Sequence, residues 1–312
     1  MTRYKIIVNP RSGGGTGARS VPQIVALLTK YNLDFDIDVT EHSGHATSLA
    51  EIAAKAGYDV VVAAGGDGTS NEVINGLMAA REASVPVPAM GTLCVGRGND
   101  FAHAVGIPAN LEAGCRTLAE NRRRCVDMGR VSGGLYPQGR YFGNCVGVGF
   151  DAIGTIEVAK LPRLGGFLSF FIAVLKTIFL YHKAPTVKVA YDGETLTQPA
   201  LMVSIMNGTR LGGGFIMAPD AKPDDGVFDL CMARAVSRAR IFTLVPHFLR
   251  GTQASQAPIT MGKAARISIT AVEGVLPAQT DGEILCIDGR NLEIELLPRQ
   301  LEIVSAVSEL RQ

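Results

Sequence analysis

From Met1 to about Cys125, short apolar runs alternate with longer stretches in which apolar residues recur at helical spacing. RYKIIVN, residues 3–9, reads as a strand, and Val21, Ile24, Val25 and Leu28 mark the face of a following helix. DFDIDVT, ATSLAEIAAKAG and YDVVVA continue as strand, helix and strand. AAGGDGTSNEVINGL, residues 63–77, then turns sharply and opens a helix whose apolar stripe includes Val73, Ile74 and Leu77. Thr69 and Glu72 have the spacing of a capping box at its start. VPVPAMGTLCV is a further strand, followed by glycines and the short helical run NDFAHAVG. Strands alternating with helices predict a parallel sheet covered on both faces. Ligands of such sheets bind beyond the carboxyl ends of the strands. Here three of those ends carry polar or glycine-rich loops, NPRSGGGTG, TEHSGHA and GGDGTSN.

Beyond Cys125 the pattern changes to short β-like runs separated by glycine pairs and turns: RCVDMGRV, RYFGNCVGVG, TVKVAYDG, PALMVSIMNG, VFDLCMAR and ARISITA. Asp-Gly recurs at 192–193, 225–226, 281–282 and 288–289, a hairpin signal, so an antiparallel β domain is expected. A helical stretch near 237–250 and the apolar run LGGFLSFFIAVLKTIFLY, residues 164–181, interrupt it. That run is near the minimum for a membrane span, but Lys176 breaks it and Gly165 and Gly166 weaken its start, so a buried or partly exposed helix is expected. Lys160, Arg163, His182 and Lys183 flank it, and an apolar helix with basic ends suits contact with a bilayer surface without crossing. The last run, LEIVSAVSELR, reads as a strand returning to the first domain. The expected organisation is an α/β domain over 1–125, joined by 297–312, and a β domain over 126–296.

Composition adds limits. At 312 residues two domains are expected, and 47% hydrophobic with 19% charged residues suits a globular chain. A formal charge of +1 points to no nucleic-acid partner. The six cysteines are scattered without zinc-type spacing and are expected as small buried hydrophobes in a reducing cytoplasm. MTRYKIIVNP is too short before Pro10 for a signal peptide.

The chemistry begins with Gly65, Gly66 and Gly68, which let a ligand approach the main chain closely where a helix opens. Unpaired N–H groups at such a helix start favour an anion, and phosphate is the expected occupant. The chain has no G-x-x-x-x-G-K-[ST] motif, and no G-x-G-x-x-G follows the first strand. NPRSGGG offers further backbone donors, with the Ser12 hydroxyl. Asp67, a carboxylate inside this phosphate loop, is either a solvated turn aspartate or, facing phosphate, implies a bridging Mg²⁺. Near the carboxyl terminus, PAQTDGEILCID sets Asp281 and Glu283 around a glycine, either as a hairpin turn or as a carboxylate placed to take a proton. Asp192-Gly193-Glu194 repeats the motif, and spacing does not choose between the two copies.

The ordered set NPRSGGG, GGDGTSNEVINGL, GRGNDFA, GVGFDA, GGGFIMAPDAKPDDGVFDL and QTDGE resembles the bacterial diacylglycerol kinase and lipid kinase family over essentially the whole chain. GGDGT alone is less specific, since NAD kinases and 6-phosphofructokinases carry a related loop. The resemblance implies an α/β N-terminal nucleotide-binding domain plus an antiparallel β-sandwich C-terminal domain. It also implies transfer of the γ-phosphoryl of Mg-ATP to a lipid hydroxyl. By position it assigns ATP contacts to Asn9, Pro10, Arg11, Ser12, Gly13 and Thr40, and to Gly65, Gly66, Asp67, Gly68, Thr69, Ser70 and Asn71. Its catalytic base falls on Glu283, which selects that residue over Glu194. A structural Mg²⁺ loop falls on AKPDDGV, with the carboxylate of Asp225 and the main-chain carbonyls of Lys222 and Val227 as ligands. One position departs: relatives usually read G-T-G-N-D-F, and here Arg97 stands in place of the threonine. Glycines on both sides give it room, and a guanidinium there is expected to grip ATP phosphates.

The expected protein is therefore a cytoplasmic lipid kinase associated peripherally with a membrane surface. The lipid is open among diacylglycerol, phosphatidylglycerol, a sphingoid base and other long-chain alcohols, and a homodimer is compatible with the sequence. The competitors are a soluble NAD kinase, opposed by the NDFA, PDDGVFDL and QTDGE set, and a catalytically silent lipid-binding regulatory protein, opposed by the intact Asp67 and Glu283.

Overall fold

Four of the early apolar runs pair side by side in the computed structural model, which describes residues 1–160, 166–180 and 184–306. The chain forms two units, one of Met1–Asp127 with the segment from Arg299, the other of Met128–Pro298. In the first, β1 (Arg3–Val8), β2 (Asp34–Val39), β3 (Val60–Gly65) and β4 (Ala89–Cys94) lie parallel in the order β2-β1-β3-β4. α1 (Ser12–Lys30), α2 (His45–Lys55) and α3 (Asp67–Glu82) connect them, and α4 (Asp100–Ala104) and α5 (Leu111–Glu120) follow β4. VVVAAG of β3 is buried at every position, as a strand covered on both faces requires. β2 is the edge strand: Phe35 and Ile37 pack on the core, while the alternating Asp34, Asp36 and Asp38 put charge along the open edge. The end of the last strand, Asn291–Val304, lies parallel to β4, with Ile303 opposite Met90.

Three local expectations change. The buried face of α1 is Ile24, Leu27 and Leu28, and Val25 is 38% exposed, since one step along a helix turns a side chain by about 100°. Thr69 and Glu72 form no capping box. α3 begins earlier, at Asp67, and Glu72 reaches to the start of α2, where it accepts the N–H groups of Gly44 (2.8 Å) and Ala46 (3.0 Å). α5 carries too short an apolar stripe to stand out in the sequence; Asn110 caps it by accepting the Ala113 N–H at 3.0 Å.

The second unit is antiparallel. Its elements are β5 (Arg123–Gly133), which enters it from the first unit, β6 (Tyr136–Phe142), β7 (Cys145–Gly149), α6 (Phe150–Lys160), α7 (Gly166–Leu180), β8 (Thr186–Tyr191) and β9 (Glu194–Met206). After these come the two-residue strands β10 (Arg210–Leu211) and β11 (Phe215–Ile216), then β12 (Phe228–Arg234), α8 (Arg238–Arg250), β13 (Ile259–Ala264), β14 (Arg266–Glu273), β15 (Leu276–Thr280), β16 (Glu283–Gly289) and β17 (Asn291–Val304). β9 belongs to both layers of the sandwich: residues 194–199 pair with β8, and residues 202–206 lie between β7 and β12. Val148, Val203 and Ile205 of one layer share a core with Val189, Ile269 and Ile294 of the other.

Two of the four Asp-Gly pairs make the expected hairpin. Asp192 and Gly193 (φ +40° and +92°) join β8 to β9, and Asp281 and Gly282 (φ +46° and +87°) join β15 to β16. Both residues of each pair are left-handed, as the two-residue turn matching strand twist demands. Gly289 instead sits in the β16 ladder opposite Leu276, and Asp225-Gly226 belongs to the loop before β12.

Val174 and Ile178 of α7 and Ile241, Leu244 and Phe248 of α8 share a second apolar cluster. Phe179 and Phe242 remain 58% and 40% exposed, their rings 6.0 Å apart. Among the described residues no helix is long and apolar enough to cross a membrane. Lys176, which interrupts α7, pairs with the buried Glu157 of α6 at 2.5 Å. Arg163, His182 and Lys183 lie outside the described residues, as do the side chain of Lys160 and residues 307–312 of the final run. None of the six cysteines is in a disulfide, and only Cys94 and Cys125 are partly exposed.

Candidate active site

The loops following β1, β3 and β4 are knitted together at one rim of the parallel sheet. Asn9 accepts the Arg11 N–H through Oδ1 (3.0 Å) and donates through Nδ2 to the Thr69 hydroxyl (3.0 Å), which ties the first loop to the first turn of α3. The Ser12 hydroxyl accepts the Gly66 N–H at 3.1 Å. Gly13, Gly14 and Gly15 hold φ of +60°, +75° and +93°, so regular helix begins only after them. The N–H groups of Val95 and Gly96 both donate to the Gly65 carbonyl, at 3.1 and 3.0 Å. Gly66 and Gly96 then touch backbone to backbone: a Cβ on Gly96 would lie 2.2 Å from the Gly66 Cα. Such a side-chain-free cradle at a helix start fits a phosphate chain.

Asp67 opens α3, where a carboxylate is favoured by the helix dipole. Its Oδ1 accepts the Phe101 N–H at 3.0 Å. A Cβ on Gly98 would lie 2.7 Å from Asp67 Oδ2 and 3.4 Å from Asp100 Oδ2, so two carboxylates converge on a glycine beside the cradle. Asp100, buried at the start of α4, is the residue that sequence reasoning left out of this site. Its signal was present in the GRGNDFA run. Among the described residues no three His, Cys, Asp or Glu side chains form a metal site by themselves. Paired carboxylates fit a Mg²⁺ that takes its remaining ligands from phosphate and water.

The other expected nucleotide residues divide by exposure. Gly66, Asp67 and Gly68 are half-exposed, whereas Thr69, Ser70 and Asn71 are buried and anchor α3. Thr40 is buried at the end of β2, its N–H donating to the Val8 carbonyl at 2.9 Å. Pro10 is half-exposed, and the side chains of Arg11 and Arg97 are exposed, with no ion pair to either among the described residues.

In the second unit the two D-G-E hairpins differ. Glu194 is exposed, whereas Glu283 is half-buried. Asp281, 4% exposed, accepts the N–H groups of Gly143 (2.8 Å), Asn144 (3.0 Å) and Cys145 (2.9 Å). Sequence reasoning gave Asp281 no role beyond the turn, because its partners lie about 136 to 138 positions away. Asp151, at the start of α6, is buried and accepts the Ser204 hydroxyl at 2.6 Å; burial pushes its carboxyl up to about 7, partly offset by that bond.

The loop expected to hold a structural cation is exposed at Lys222 and Asp225. Asp225 Oδ1 accepts the Val227 N–H at 3.3 Å, and Oδ2 lies 3.7 Å from the Lys263 ammonium, which also pairs with Asp229 at 3.0 Å. A carboxylate and main-chain carbonyls are the oxygen donors a hydrated Mg²⁺ takes, and nothing stands within 4 Å of the Gly226 side-chain position. Lys263 competes for the same carboxylate. Elsewhere in the unit, an apolar cavity of about 60 Å³ lies among Val174, Met202, Phe215, Leu244 and Phe248.

The family model described as diacylglycerol kinase catalytic domain matches residues 3–131, and that described as YegS C-terminal NAD kinase beta sandwich-like domain matches residues 144–305. The chain is 32% identical to "Diacylglycerol kinase" of Bacillus subtilis (strain 168), over 91% of this chain and 90% of that one. It is 30% identical to the protein of the same name in Staphylococcus aureus (strain Newman), over 90% and 86%. A crystal structure described as a diacylglycerol kinase from Bacillus anthracis str. Sterne superposes with a TM-score of 0.71 at 25% identity, covering 97% of this chain and 96% of that one. An NAD kinase from Archaeoglobus fulgidus in complex with ATP shares the fold alone, with a TM-score of 0.52 at 14% identity over 97% and 94%.

Proposed function

Since the chain belongs to the diacylglycerol kinase family, we propose that it transfers the γ-phosphoryl of Mg-ATP to the hydroxyl of a lipid, diacylglycerol or a related long-chain alcohol. The observation that carries this reading is the match to a diacylglycerol kinase over 91% of the chain. The glycine cradle of Gly66, Gly68 and Gly96 lets the phosphates approach the main chain at the start of α3, with Asn9 to Gly13 and Thr40 completing the nucleotide loops. Arg97, exposed between two glycines, swings to the phosphates and grips them in a fork. Asp67 and Asp100 would hold Mg²⁺, which when bound neutralises charge on the transferring phosphoryl. Glu283 takes the proton from the attacking lipid hydroxyl, leaving an oxygen able to attack phosphorus. Lys222, Asp225 and Val227 would hold a second, structural Mg²⁺, for which the Asp225 carboxylate would have to leave Lys263. The enzyme works in the cytoplasm at a membrane surface, where its substrate resides; the exposed Phe179 and Phe242 and the apolar cavity support that setting.

The test is incubation with labelled ATP, Mg²⁺ and a panel of diacylglycerol, phosphatidylglycerol, a sphingoid base and NAD. Label in a lipid is expected. Label in NAD would make the protein an NAD kinase, and no transfer at all would make it a lipid-binding protein without catalysis.

A further inference from the structure

We infer that Asp281 is a positioning residue for Glu283, a clamp that fixes where the catalytic carboxylate is held; the inference rests on the kinase reading above. The two D-G-E hairpins have the same turn but different anchors. At the first, Asp192 accepts the N–H groups of Ala265 (2.8 Å) and Arg266 (3.1 Å), but Asp192 and Glu194 are both exposed. At the second, the buried Asp281 gathers three successive N–H groups, of Gly143 and Asn144 before β7 and of Cys145 at its start, two on Oδ1 and one on Oδ2. Its own N–H donates to the Cys145 carbonyl at 3.2 Å, and the Thr280 hydroxyl donates to the same carbonyl at 3.0 Å. Gln279 Oε1 accepts the Gly282 N–H at 2.9 Å. All four residues before Glu283 are thus tied down.

The receiving segment is itself fixed. Asn207, buried at the end of β9, donates through Nδ2 to the Gly143 carbonyl at 2.8 Å, and its N–H donates to the Asn144 carbonyl at 2.8 Å. The exposed Asp192 turn makes do with two N–H groups on its carboxylate and its own N–H on the Arg266 carbonyl at 3.3 Å; burial, the third N–H and the Thr280 and Gln279 bonds are what the Asp281 turn adds. Asparagine tolerates the left-handed turn position as well as aspartate does, so Asp281→Asn isolates the carboxylate. It offers one acceptor and one amino group to three N–H donors, so at least one donor faces another. A displacement of the base by about 1 Å is enough to cost roughly a hundredfold in rate.

The experiment compares Asp281→Asn with Asp192→Asn, and Asp281→Asn/Glu283→Gln with Glu283→Gln. Steady-state phosphotransfer is measured in detergent-dispersed diacylglycerol with varied ATP. Asp281→Asn is expected to lower kcat about tenfold to a hundredfold with the KM for ATP unchanged. Asp192→Asn is expected to keep wild-type kcat, and the double variant to be no slower than Glu283→Gln alone, because a clamp without its base has nothing to position. Asp281→Asn with wild-type kcat, or losses that multiply in the double variant, would overturn the positioning role and leave the kinase reading standing. A wild type that phosphorylates nothing would overturn both. Should Asp281→Asn not fold, the isosteric Thr280→Val carries the same test, with an expected kcat loss of roughly twofold to tenfold for one hydrogen bond.

Discussion

Gly96→Ala tests whether the loops after β3 and β4 act as one phosphate cradle. The added methyl would lie 2.2 Å from the Gly66 Cα, 2.8 Å from the Gly66 nitrogen and 2.8 Å from Asn99 Oδ1. Carbon atoms settle at about 3.5–4.0 Å, so the loops must part by roughly 1.3 Å or more. Both sides are backbone, so no flexible side chain can give way. Overpacking of this kind costs about 1–3 kcal/mol in stability. The same displacement pulls the Gly66 N–H from its place beside Ser12 and weakens the bonds that Val95 and Gly96 make to Gly65. Losing one hydrogen bond to a charged phosphate costs about 1.5–3 kcal/mol, or roughly tenfold to a hundredfold in ATP affinity. Isothermal titration with Mg-ATP measures this directly, with a melting curve alongside to show that the variant folds. Gly154→Ala is the control. Nothing lies within 4 Å of that side-chain position in α6, so alanine should keep ATP affinity and add about 0.4–1 kcal/mol of stability. Wild-type ATP affinity in a folded Gly96→Ala protein would refute the cradle.

Arg97→Ala is expected to weaken ATP binding by about 1.5–3 kcal/mol and Arg97→Lys to recover part of it; unchanged titrations would leave Arg97 in solvent. Asp151 makes stability pH-dependent. The folded state binds its proton more tightly than the unfolded chain, so this contribution is fully present below about pH 4 and lost as pH rises through about 7. Asp151→Asn, which can still accept the Ser204 hydroxyl, should remove that slope, at most ~1.4 kcal/mol per pH unit, from urea unfolding between pH 5 and 8. An unaltered slope would show that Asp151 titrates normally. Asp225→Ala is expected to abolish the rise in melting temperature that Mg²⁺ gives the nucleotide-free, chelator-treated protein, and a wild type indifferent to Mg²⁺ would remove the structural ion.

The first unit was legible because its signals are local. The unbroken apolar run of β3, the alternation of β2 and the glycine loops each declare themselves within a few residues, and the rim they share follows from parallel topology. What escaped was set by tertiary partners. Glu72 has the spacing to cap its own helix, yet the α2 amide groups lie closer, and nothing in the sequence records that packing. Val25 and Leu27 compete for one helix face, and only the sheet beneath decides. In the second unit, Asp-Gly marked two real hairpins, but at 225–226 it lies in a loop and at 288–289 in the β16 ladder, because the pair permits a tight turn and the flanking strands decide whether one forms. The D-G-E copies could not be told apart by spacing. Their difference is the segment 143–145 that anchors Asp281, remote in sequence and invisible to any local pattern.

The most direct measurement of the central claim is single-turnover transfer from labelled Mg-ATP to diacylglycerol by wild type, Glu283→Gln and Glu194→Gln, with ATP binding measured on the same preparations. Wild type is expected to label the lipid. Glu283→Gln should bind ATP normally and transfer about 10²–10⁴-fold more slowly, the usual worth of a general base, while Glu194→Gln matches wild type. Equal rates in the two variants, or the larger loss in Glu194→Gln, would contradict the assignment, and no label in lipid from the wild type would contradict the kinase itself.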